Sequence, residues 1–420
     1  MADIRLVNEL YEQIAKIPIR DPHTHISPRS PAARSLDDIL GYHYYTELAH
    51  SAGMSHGPLQ ADFPARERCR ILLTFLERFD NTVQATWLVE IAQTFLGFPK
   101  NRIRAEDADW LWQRAEEVMA QPDWARHVIQ RSNIEQIFLT NDFDDPLKGF
   151  DTQFYVPCLR TDDLVFRLHL PEVRERLARA TGIELGRLEH VQEALERLFH
   201  HFVSHGARAC AISLPPDFTP MPPEPGASIR LDAPSPELSR WVFWKLAECC
   251  RHYKLPFDLM IGVHRGVYKH GVYQGQDLFD QRTSLWQYRE LFNAFPQVTF
   301  CVSILSSIQN AELVAYSWIF PNVIASGHWW YSNLPGFIRH DLSTRLQGVP
   351  KTKLVGYYSD AYKLEFVLPK FNMFRRVLAE VLADEYIQGR GWSEEAALQL
   401  ARQILYDNIA VIFPPSSPRK

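Results

Sequence analysis

Two histidines one residue apart, His23 and His25, stand in the segment Asp21-Pro22-His23-Thr24-His25, directly behind a short apolar run, Ile14 to Ile19. On a strand, successive side chains alternate faces, so this spacing turns both imidazoles to one side. Two neutral imidazoles on one face can grip a single divalent cation of the zinc type. The competing reading has one histidine capping the next loop and the other solvated. Far along the chain, Ser359-Asp360 follows the last apolar run, Lys353 to Tyr357. A closed barrel of parallel strands sets the end of its last strand beside the end of its first. There Asp360 can complete a His23, His25, Asp360 set with coordination positions left open. Such a set polarises a carbonyl or hydroxyl while the carboxylate shuttles a proton; otherwise Asp360 caps a following helix.

The elements that must position these residues alternate between helices and short apolar strands. An opening helix is expected over Ile4 to Ala15, leading into the first strand. Strand signals are then missing from Arg34 to Arg131, where helical periodicity recurs in Cys69 to Leu76 and Trp110 to Ala115. This stretch reads as a helical insertion near the barrel mouth, within one domain spanning 1–420. Further strands are expected at Gln136 to Thr140, Tyr155 to Leu159, Ala209 to Leu214, Phe257 to Val263, Val298 to Ile304, Val323 to Ser326 and Lys353 to Tyr357. The alternation is met most economically by an α/β fold of the TIM type, a (β/α)8 barrel. A doubly wound sheet is disfavoured because no glycine-rich phosphate loop follows the first strand. Pro215 to Pro236 reads as a surface loop.

With 45 basic and 50 acidic residues and a net charge of −5, the chain has no basic excess for nucleic acid or an anionic membrane surface, which favours small-molecule chemistry. Hydrophobic residues at 46% suffice for a large core. The N-terminus lacks a secretory pattern and no apolar run spans a bilayer, so a cytoplasmic enzyme is expected. The six cysteines, Cys69, Cys158, Cys210, Cys249, Cys250 and Cys301, form no CxxC and read as reduced core residues.

In motif order and spacing, from about Ile14 to Pro414, the chain resembles the uronate (glucuronate) isomerase family of the amidohydrolase superfamily. Asp21-Pro22-His23-Thr24-His25 resembles that family's first-strand D-P-H-x-H, and Gly41-Tyr42-His43-Tyr44 falls at its D-H-Y. Thr140-Asn141-Asp142 resembles T-T-D, and Val156 to Asp162 resembles V-x-P-x-x-R-P-D. Ser326-Gly327-His328-Trp329-Trp330 corresponds to G-x-x-W-W, and Ser359-Asp360 with Phe374-Arg375-Arg376 to the last-strand acid and the helix behind it.

The resemblance implies a metal-dependent interconversion of aldose and ketose uronates, glucuronate to fructuronate or galacturonate to tagaturonate, with one divalent metal ion, commonly zinc. It implies His23, His25 and Asp360 as metal ligands and Asp360 in proton transfer. His43 and Tyr44 would contact the sugar, Arg160 would add positive charge, and Trp329 and Trp330 would wall the pocket. The family also tends to form homo-oligomers. This chain departs from the pattern at several positions. Glu47 and Tyr362 stand where the family has arginines, Ala211-Ile212-Ser213 replaces D-H-G, and Met260 replaces a fifth-strand histidine. Since arginine holds a carboxylate best, these losses bear on how a uronate's acid group is bound. His264, four residues past Met260, with Arg265 beside it, and His328 are candidate replacements. Asp142 and Asp162 read as loop caps.

Three functions fit: a metal-dependent isomerase of uronates or a related sugar acid, a superfamily hydrolase acting on a sugar-derived ester, lactone or amide, and a non-catalytic sugar-binding barrel. No ligand for a second metal is evident on the fourth strand or in Val298 to Ile304, so a mononuclear site is expected.

Overall fold

The structure, a computed structural model, describes residues 3–224 and 229–415. The opening helix runs Ile4–Ala15 as expected. Asp3 caps it, accepting from Arg5 N at 2.9 Å, and it buries Val7, Leu10 and Ile14, the i, i+3, i+7 stripe of a half-covered helix.

Twelve strand segments follow in chain order. They are β1 (Ile19–Asp21), β2 (Ile134–Phe138), β3 (Asn141–Asp142), β4 (Tyr155–Val156), β5 (Cys158–Arg160), β6 (Ala209–Leu214), β7 (Phe257–Ile261), β8 (Val263–His264), β9 (Leu278–Phe279), β10 (Phe300–Ile304), β11 (Val323–Ser326) and β12 (Leu354–Val355). β8 and β9 form an antiparallel hairpin; every other pairing is parallel, in the orders β1-β2-β4 and β12-β11-β10-β7-β6-β5-β3. β2 and β3 are two pieces of one barrel strand. β4 and β5 are two pieces of the next, separated at Pro157, which has no N–H for a ladder. Eight barrel strands result, with helices between most of them, the TIM-type architecture.

β7 and β10 are buried at every residue, which is why they read as mainly apolar segments without in-out alternation, broken only by Asp258 and Ser303. The barrel closes beyond β12 rather than within it. Asp360 N donates to His23 O at 3.1 Å and His25 N to Ala361 O at 2.8 Å, while Ser359 N donates to buried Asp21 Oδ1 at 2.9 Å.

Several expected boundaries shift. Ile14 belongs to the first helix, and β1 starts only at Ile19, so His23 and His25 lie just past the strand; the ladder-like bonds to the 360–361 backbone keep them on one side. β10 begins at Phe300 and β12 is only two residues long. Pro236 opens the helix Pro236–Tyr253 with Ser235 as its cap, and part of the expected Pro215 to Pro236 loop, residues 225–228, lies outside the described residues.

Between β1 and β2 the described chain holds helices and no strand, among them Leu36–Leu40, His43–Ser51, Ala65–Leu76, Val83–Ile91, Ala108–Met119 and Trp124–Arg131. All six cysteines are buried and free. No helix among the described residues is long and apolar enough to cross a membrane.

Candidate metal centre and pocket

At the carboxyl ends of the strands, one donor atom from each of His23, His25 and Asp360 lies within 4.8 Å of the other two, and this is the one such group of three found among the described residues. His25 Nε2 is 3.3 Å and His23 Nε2 3.7 Å from Asp360 Oδ1. Two ligands about 2.1 Å from a tetrahedral zinc-type ion lie about 3.4 Å apart, so these spacings suit one ion.

The network behind the rings explains which nitrogen each presents. His23 Nδ1 lies 3.1 Å from Asp258 Oδ2, an acceptor only, so Nδ1 carries the hydrogen. The Thr140 hydroxyl donates to Thr24 O at 3.0 Å, so its contact with His25 Nδ1 at 2.7 Å is one in which the imidazole donates. Both Nε2 atoms therefore face the carboxylate with lone pairs. His23 Nε2 and Asp360 Oδ1 are buried with no hydrogen-bond partner. Converging lone pairs without a donor are unfavourable in a dry site and favourable around a cation.

Burial lowers the His25 imidazole and outweighs the attraction of Asp360, which keeps the ring neutral. Burial pushes Asp360 up, but His25, His23 and Lys370 together hold it down at about 2, fully ionised at neutral pH. Burial also lowers His23, yet the bond and charge of Asp258 with the charges of Asp360 and Asp21 carry it above its ordinary value, so a cation at Nε2 displaces a proton. The residues present fit a divalent metal.

Behind Asp360 a second set of contacts fixes its backbone. Asp360 adopts φ +53°, in the left-handed region. Its carbonyl accepts from Tyr42 OH at 3.2 Å, and the buried Lys370 ammonium donates to Tyr42 OH at 2.7 Å and to Ser359 O at 2.8 Å.

The cavity at this centre, about 220 Å³, is lined by both histidines, Asp360, His43, Arg160, Arg265, Trp329 and Trp330 among others. Arg160 pairs with Asp162 at 3.1 Å and Arg265 with Asp277 at 2.6 Å. Met260 reaches the cavity wall as a thioether, and Glu47 receives His43 Nδ1 at 2.8 Å.

Three expected residues do not join this cavity. His264 sits on the β8–β9 hairpin, 44% exposed and 3.1 Å from Asp280. Counting four residues on from Met260 fails because Gly262, at φ +104°, turns the chain and resets which face each side chain takes. His328 is buried on the outer side of its segment, its ring 5.8 Å from that of Phe374. It neighbours Trp329, which faces in, and alternation sends it out. Gly327 makes that tight exit feasible: at φ +46°, a Cβ there would fall 2.1 Å from the Tyr358 ring. Tyr44 lies one step round its helix from His43, packed 6.1 Å from Trp87 and facing a different cavity. Asp162, expected only as a cap, does begin a helix but also lines the metal cavity.

Asp258, Lys370 and Gln274 were missed. The signal for the first two is a charged residue inside an apolar segment, Phe257-Asp258-Leu259 and Leu368-Pro369-Lys370-Phe371, where an unpaired charge would be costly. Asp258→Asn removes the charge behind the His23 Nδ1 hydrogen and leaves one acceptor oxygen in place of two, and metal affinity is expected to fall about 10- to 100-fold, read by competition with a chelating dye. Unchanged affinity would show that Asp258 does not orient His23.

A family profile described as glucuronate isomerase matches residues 1–413. The uronate isomerase of Mannheimia succiniciproducens is 21% identical over 457 aligned residues, covering 96% of each chain. Among solved structures, glucuronate isomerase from Caulobacter crescentus superposes with a TM-score of 0.88 at 19% identity, covering 97% of this chain and 94% of that one. Uronate isomerase from Thermotoga maritima gives 0.87 at 19% identity, covering 97% of each.

Proposed function

This chain belongs to the glucuronate isomerase family, and from that premise and the site geometry we propose that it is an aldose-ketose isomerase of hexuronates working with one divalent cation of the zinc type. The observation that carries the reading is the convergence of two Nε2 atoms on the buried Oδ1 of an ionised carboxylate. His23, His25 and Asp360 would hold the cation, which when bound supplies Lewis-acid polarisation of the substrate oxygens at C1 and C2.

The remaining steps fall to the chain's own groups. Glu47, at a position where the resemblance expects an arginine, takes the His43 Nδ1 hydrogen and leaves Nε2 as the basic atom of a ring that lines the cavity. His43 Nε2 removes the proton from C2 and returns it to C1, while Asp360 accepts and returns the hydroxyl proton. Trp329 and Trp330 offer aromatic faces to the sugar carbons and exclude water from the enediolate.

The substrate carboxylate is assigned to Arg160. Arg160→Met is expected to raise KM about 10- to 100-fold with a smaller change in kcat, the range for losing a charged hydrogen bond. A fall in kcat alone would place the carboxylate elsewhere.

The test is proton NMR of glucuronate and galacturonate with metal-loaded protein in deuterated water, alongside metal content by mass spectrometry. Ketose formation with deuterium beside the carbonyl and near one metal per chain supports the isomerase. Metal-loaded protein that converts no hexuronate overturns it, and two metals per chain would redirect the search to hydrolysis.

A further inference from the structure

Beside the metal cavity lies a larger one, about 610 Å³, and His43, Tyr273, Gln274 and Tyr362 line both. Resting on the isomerase reading above, we propose that the substrate is a hexuronate whose O4 carries a second, uncharged sugar ring seated in this cavity.

The common wall supports this. Tyr362 occupies a position where the resemblance implies an arginine, and brings no cation to this wall. Gln274 Nε2 donates to Tyr362 OH at 3.2 Å, so a neutral amide and phenol stand between the two spaces. Gln274 is held at φ +65°, an uncommon conformation for this residue type at the tip of the loop between β8 and β9.

The volumes point the same way. Cavities that bury drug-sized ligands run about 300–1,000 Å³. The metal cavity, at 220 Å³, falls below that band and suits one small acid, while its neighbour falls within it.

The chemistry of the second cavity selects the occupant. Phe366, Val272 and Leu59 offer apolar surface and Gln60 a carboxamide, the pairing that suits a sugar's carbon face and hydroxyl rim. Its guanidinium, Arg68, is held by both oxygens of Asp37 at 2.8 and 3.1 Å, its ammonium, Lys363, donates to Ser30 O at 2.9 Å, and the carboxylates of Asp37 and Asp38 stand in the same lining, which together disfavour an anionic ring.

Substitution at O4 leaves the reaction intact. Ring opening needs O5 and C1 only. The C2–H bond breaks and a C1–H bond forms, the O2 proton moves to O1, C1 is reduced as C2 is oxidised, and no outside oxidant enters. The reaction that supplies such a substrate is cleavage of a glycosidic bond that leaves a uronate at the reducing end.

The test compares glucuronate with 4-O-glucosyl-glucuronate on metal-loaded wild-type protein and on Leu59→Trp and Val272→Trp, both in the second cavity and away from the metal. The disaccharide is expected to have kcat/KM about tenfold above the monosaccharide, and each variant to lower the disaccharide value about tenfold while leaving the monosaccharide within about twofold. Turnover of glucuronate without the disaccharide, or an equal loss on both in the two variants, overturns the inference and leaves the isomerase reading standing. Turnover of neither overturns both.

Discussion

Asp360→Asn is expected to abolish measurable isomerisation while the protein stays folded. The substitution keeps the shape of the side chain, and asparagine tolerates the left-handed backbone that position 360 adopts, so the barrel closure through Asp360 N and His23 O is retained. What disappears is the charge. With a neutral amide facing two Nε2 lone pairs, the cation loses its one anionic ligand. The loss in metal affinity is expected to exceed the roughly 10- to 100-fold that removal of an outer partner causes. Metal content by mass spectrometry should fall well below one per chain, with an unchanged far-ultraviolet circular dichroism spectrum. His23→Ala is expected to act likewise, and to destabilise as well, because it strands the buried Asp258 carboxylate. Full activity in either folded variant would place the centre elsewhere.

Lys370→Met is expected to separate function from stability. Lys370 is wholly buried, and burial lowers its ammonium from 10.5 to about 8 against the pull of Asp360 and Asp21. A lysine lowered on folding makes the folded protein the weaker proton binder, so its charge works against folding below about pH 8, and that penalty fades as pH rises from about 8 to 10.5. Methionine, similar in length and uncharged, removes the penalty. It also removes the donor to Tyr42 OH and Ser359 O and the positive charge that helps hold Asp360 at about 2. The midpoint of thermal unfolding is therefore expected to move by only a few degrees, while metal affinity falls about 10- to 100-fold. Unchanged affinity with a lowered melting point would make Lys370 a packing residue only.

Much of the frame is legible in the chain itself, for identifiable reasons. Ala209–Leu214 and Val323–Ser326 are short β-branched or small apolar runs between polar turns, and both strands end where those runs end. Ile4–Ala15 carries its stripe and its cap in sequence. The convergence of His23, His25 and Asp360 follows from two local facts, an HxH after the first strand and an acid after the last, joined by one topological rule: a closed parallel barrel sets its first and last strands side by side.

The failures share a cause. His264 is placed by a count from Met260, and His328 and Tyr44 by the motifs in which they stand, and neither a count nor a motif says which way a side chain faces once the backbone stops repeating. Gly262 ends that repeat before His264, and the turn at Gly327 carries His328 outward. At Tyr44 a helix advances each side chain by about 100°, so a neighbour of His43 meets another cavity.

By itself, then, the sequence determined the barrel, the presence of a metal-type donor set and the family, because periodicity, spacing and motif order are properties of the chain. The tertiary structure alone decided which nitrogen His23 and His25 present, that Lys370 stands behind Asp360, and that a second cavity adjoins the first. Each of those depends on atoms brought together from distant segments, Asp258 to His23 and Lys370 to Tyr42, and hydrogen bonds between such segments leave no periodic trace in the order of residues.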